Sequence, residues 1–92
     1  MSIQSASEFE AVINNVSMRI ERAISERGAI PVLESADRDL KRIFAVARQP
    51  AKLKALRSLL EQTIDVITEQ IPDDNTLREQ LWDLSDFVDY RA

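Results

Sequence analysis

The chain has 92 residues, 45% of them apolar, and a formal net charge of −4, which is room for one small packed domain and no second. It has no cysteine, no histidine and a single glycine. That excludes disulfides, thiol or imidazole catalysis, nearly every structural zinc site and the multi-glycine loops that cradle nucleotide phosphates.

The first helix is expected from about Ser7 to Arg27. Ser7 with Glu10, or Ser5 with Glu8, has the S-x-x-E spacing that satisfies the free amides of a first turn. Phe9, Ile13, Val16, Ile20 and Ala23 recur at helical spacing and make one apolar face. Gly28 supplies the left-handed residue that ends a helix cheaply.

The second helix starts near Pro31 or Ser35 and runs to about Arg48, with Leu33, Ala36, Leu40, Ile43, Phe44 and Ala47 turned inward. Pro50 either opens a third helix or kinks one long one, because its ring excludes an ordinary continuation. The third helix, about Pro50 to Ile71, carries Leu53, Leu56, Leu60, Ile64, Ile67 and Ile71 in one stripe. Ala55, Leu59 and Val66 widen that stripe to about 180°, a breadth expected of a central helix or of one that also meets another subunit.

Pro72-Asp73-Asp74-Asn75 reads as a turn, and Thr76 with Glu79 as a capping box opening a last helix to about Tyr90. Leu77, Leu81, Leu84 and Val88 face inward, while Trp82 lies about 140° from Leu77 on the helical wheel. The expected fold is therefore all-α, a small antiparallel bundle of four helices, or three if Pro50 only kinks one, with residues 1–92 as one domain. With no run near the roughly 20 apolar residues of a membrane span and no basic leader, the expected location is the cytoplasm.

Charge is divided unevenly. Residues 1–34 carry three basic and five acidic side chains, residues 35–58 seven and two, residues 59–92 two and nine, giving −2, +5 and −7. The plain reading is a basic helix facing an acidic one. The functional reading is a site for an anionic partner on the basic segment, or for a basic partner on the acidic tail.

Three functional classes follow. Glu79, Asp83, Asp86 and Asp89 form a row that could offer oxygen ligands to Mg²⁺. The all-α nucleotide pyrophosphohydrolases use such rows, but their E-E-x-x-E run is absent here: Glu61, Asp65 and Glu69 are spaced by four. A carboxylate-dependent hydrolase is thus the remotest class, and no metal or cofactor is expected. Arg38, Lys41, Arg42 and Arg48 make a stripe that could meet an anion, so a nucleic-acid-associated factor using residues 38–57 is the alternative. The acidic final third argues against it.

The leading class is a non-enzymatic protein–protein interaction module, an adaptor, inhibitor or small regulator, with a homodimer as one form of self-association. Tryptophan is the residue most enriched at interface hot spots. Trp82, with Phe87 and Tyr90, is accordingly the candidate contact patch, with Leu59 and Val66 on the broad face of the third helix and Met18 and Ala11 as a weaker second contact. The competing expectation for Trp82 is that it packs against a neighbouring helix and completes the core.

Overall fold

Ser5 starts the first helix: its hydroxyl accepts from the Glu8 amide at 3.2 Å, and the Glu8 carboxylate reaches back to the Gln4 amide at 3.0 Å. Of the two capping pairs the sequence offers, Ser5–Glu8 is the one used. In the computed structural model, which describes residues 3–28 and 30–91, the regular elements are α1 (Ala6–Arg27), α2 (Pro31–Ala45), α3 (Pro50–Ala55), α4 (Arg57–Gln70) and α5 (Asn75–Arg91). No described residue lies in a strand.

α1 and α4 each pack against both α2 and α5, so α2 and α5 sit diagonally across the bundle. Cross-helix bonds fix the directions. Glu10 meets Arg48 while Glu21 meets Lys41, so α1 and α2 are antiparallel. Phe9 meets Phe87 while Arg19 meets Asp74, so α1 and α5 are antiparallel as well.

Four details differ from the sequence reading. α2 ends at Ala45, and a turn closed by Val46, Ala47 and Gln49 amides bonding three residues back carries the chain to Pro50. Pro50 opens a new helix, and that helix breaks again at Leu56, giving α3 and α4 in place of one. The Leu56 amide is shared between the Lys52 and Leu53 carbonyls at 3.2 and 3.1 Å, a tightened last turn that re-aims the chain without orphaning its donor. The last helix is capped by Asp74 and not by Thr76: Asp74 Oδ1 accepts from the Leu77 amide at 3.0 Å. Gly28 has φ 88° and ψ 167°, an extended positive-φ conformation outside the left-handed helical region.

The core is the union of the expected stripes. Phe9, Ile13, Val16, Ile20 and Ala23 of α1 meet Leu33, Ala36, Leu40 and Ile43 of α2, Leu60 and Ile67 of α4, and Leu77, Leu81, Leu84 and Val88 of α5. Phe44, Leu56 and Ile64 are only partly buried at its margin. Two polar side chains are enclosed between α1 and α2. The Ser17 hydroxyl donates to Asp37 Oδ1, and Lys41 Nζ closes on Asp37 Oδ2 at 3.1 Å. A buried carboxylate held by one hydroxyl and one ammonium is tolerable where a bare one would be costly.

Candidate functional site

α4 leaves the bundle with one side toward α2 and the other toward α5. On the α5 side the two helices do not close, and a groove of about 620 Å³ runs between them. α4 contributes Glu61, Ile64, Asp65, Thr68 and Glu69, and α5 contributes Arg78, Trp82 and Ser85. Trp82 is 62% exposed, so it does not complete the core; its ring forms one wall of this groove. The cause is its position on α5, off the Leu77–Leu81–Leu84 face that enters the core.

The expected trio of Trp82, Phe87 and Tyr90 does not assemble. Phe87 is 7% exposed and stacks on Phe9, so it belongs to the interior and not to a contact patch. Its helical position lies beside Leu84 and Val88, and the end of α1 offers an aromatic partner there. Tyr90 is 87% exposed but lies outside the residues that line the groove. Leu59 and Val66 are half-buried on α4. Val66 lines a separate cleft of about 350 Å³ with Pro31 and Val32, on the α2 side of the same helix. Met18 is exposed on α1.

The charges of the groove follow the helical repeat. Glu61, Asp65 and Glu69 are four residues apart and form a row about 12 Å long on α4. Glu61 is 3.5 Å from Arg57, whose closer partner is Asp89 at 2.8 Å. Asp65 and Glu69 have no ion-pair partner among the described residues. Arg78 stands at the turn end of the groove, its guanidinium donating to the Pro72 carbonyl at 2.7 Å. Among the described residues no three carboxylates converge as metal ligands would. The rows on α4 and α5 are spread along exposed faces.

The basic stripe is divided. Lys41 pairs with Glu21 at 3.3 Å and with Asp37, and Arg48 bonds Glu10 at 2.7 Å and the Ser7 hydroxyl at 3.1 Å. Hydrogen bonding to Asp37, that carboxylate's charge and the bond to Glu21 together raise the Lys41 pKa above its ordinary 10.5. Arg38 and Arg42 are exposed and make no ion pair among the described residues. Lys41 and Arg48 of the basic segment therefore pair with α1, and Arg57 of the same segment pairs with Asp89 of α5. No helix among the described residues is long and apolar enough to cross a membrane. Neither family models, curated proteins nor solved structures yield a match to this chain.

The helical wheel sets Trp82 off the inward stripe of α5, and the residue is exposed, but the sequence does not reveal Ile64, Asp65 and Glu69 as its neighbours. Periodicity places Ile64 in the core stripe and says nothing of what faces Asp65 and Glu69; only the packing of α4 beside α5 brings them to one cleft.

Proposed function

We propose that this chain is a non-enzymatic helical interaction module that docks a partner protein in the α4–α5 groove, with Trp82 as the anchor. One observation carries the reading: a large aromatic side chain stands 62% exposed in a groove it shares with Ile64 instead of packing inside the bundle. Leaving indole area in water forgoes burial worth roughly 25 cal/mol per Å², and a partner that covers it recovers that energy. The residue types that line the groove are suited to contact and orientation.

The test is site-directed photo-crosslinking. A photoreactive phenylalanine analogue placed at Ser85, inside the groove, is compared with the same analogue at Glu34, exposed on α2. A discrete protein adduct from Ser85 alone, lost when Trp82→Ala is added, is the expected result. An anchor of this kind contributes about 2 kcal/mol or more to binding. Equal labelling from both positions, or an adduct indifferent to Trp82, overturns the reading.

A further inference from the structure

We infer that the occupant of the α4–α5 groove is a cationic amphipathic helix, its apolar side against Trp82 and Ile64 and its Lys or Arg side chains along Asp65 and Glu69. This rests on the docking role proposed for the groove and names the chemistry of what enters it.

Charge accounting selects that occupant. Residues 59–92 carry −7 and residues 35–58 carry +5, yet among the described residues Arg57 is the one cation of the basic segment in an ion pair with the acidic one. Lys41 and Arg48 are taken up by Glu21, Asp37 and Glu10, and Arg57 by Asp89 and, at longer range, Glu61. The acidic surplus of α4 is left facing the groove, where Asp65 and Glu69 have no ion-pair partner among the described residues. An acidic segment would meet this row with like charge, and so would a nucleic-acid phosphate backbone.

Geometry selects a helix. Carboxylates at every fourth position along α4 match cations at every third or fourth position of a second helix laid beside it. An exposed indole face also suits a cationic ligand, because lysine and arginine are attracted to the electron-rich ring as well as to the carboxylates. Arg78 limits the acidic run at the α4–α5 turn, so the cationic stretch lies along Glu69 and Asp65 toward Glu61.

Trp82 is the chain's only tryptophan, so its own emission reports occupancy of the groove. The probes are three synthetic helical peptides of about 18 residues without tryptophan, about five turns each. All share leucines on one face, with lysine, glutamine or glutamate on the other. The expected result is a blue shift of Trp82 emission with the lysine peptide, weakened by salt, and none with the glutamate peptide. The double variant Asp65→Lys/Glu69→Lys lowers affinity for the lysine peptide about tenfold or more. Glu34→Lys/Asp73→Lys has the same net charge, lies outside the groove and stays within about twofold.

If the glutamine peptide binds as tightly as the lysine peptide, or both double variants lose affinity equally, the cationic occupant is wrong. In that case the apolar docking reading still stands on Trp82. If Trp82 emission shifts blue with protein concentration alone, the occupant is a second copy and the inference fails. If no peptide shifts the emission, the inference fails as well, while the crosslink from Ser85 decides the docking role separately.

Discussion

Phe87 of α5 lies against Phe9 of α1 with ring centroids 4.6 Å apart and planes inclined by 24°. That stack fixes the end of the bundle where α1 begins and α5 finishes. It also separates the aromatic residues of α5 into one that supports the fold and two, Trp82 and Tyr90, that face outward.

Phe87→Ala and Trp82→Ala should therefore behave in opposite ways. Removing Phe87 opens a cavity beside Phe9 and costs about 3–5 kcal/mol. Removing Trp82 changes stability by no more than about 0.5 kcal/mol, as for other exposed positions. Urea denaturation followed by far-ultraviolet circular dichroism measures both. Equal losses in the two variants would contradict the burial described here.

Asp37 joins α1 to α2 through the Ser17 hydroxyl and Lys41. Asp37→Ala strands that buried hydroxyl and should cost about 1–3 kcal/mol. Asp37→Asn keeps an acceptor for Ser17 and should cost less. In a double-mutant cycle, Ser17→Ala with Asp37→Ala should cost less than the two single losses combined, by about 0.5–3 kcal/mol. Strict additivity would mean that the two side chains do not share a bond in solution.

The Lys41 pairs have a pH signature. The folded state raises the lysine pKa above 10.5, so folding favours the protonated form. The stabilisation is fully present below 10.5 and is lost as pH rises through the higher folded value. The stability difference between wild type and Lys41→Met should stay constant across neutral pH and shrink only in strong alkali. A difference that peaked at high pH would have the wrong sign.

Gly28 is constrained by its backbone alone. Nothing lies within 4 Å of where a Cβ would stand, so bulk is not the obstacle. Its φ of 88° with ψ of 167° is a region that glycine occupies almost exclusively. Gly28→Ala should lower stability by about 1–3 kcal/mol. Asparagine, which tolerates the left-handed helical region but not this one, should restore little of it.

The sequence made the helices legible because each interior face repeats at helical spacing: Phe9 through Ala23 and Leu77 through Val88 are buried as the pattern implies. It was less informative where the decision is tertiary. No proline or glycine marks Leu56, so the break between α3 and α4 is invisible in the pattern. Asp74 displaces Thr76 as the cap although both have suitable side chains. Phe87 lies at the edge of the α5 stripe, and only Phe9 opposite decides that it turns inward. The acidic groove is of the same kind: Asp65 and Trp82 are seventeen positions apart and meet only because α4 and α5 run side by side.

The break at Leu56 also divides the molecule mechanically. α3 is six residues long and buries one side chain, Leu53, beside Phe87 and Ala47. A segment whose one buried side chain is a leucine should open more readily than the longer helices, so the expected first step of unfolding is local. Amides of α3 should exchange with solvent well before those of α1 or α2, and each such excursion would briefly uncover the edge of the aromatic stack.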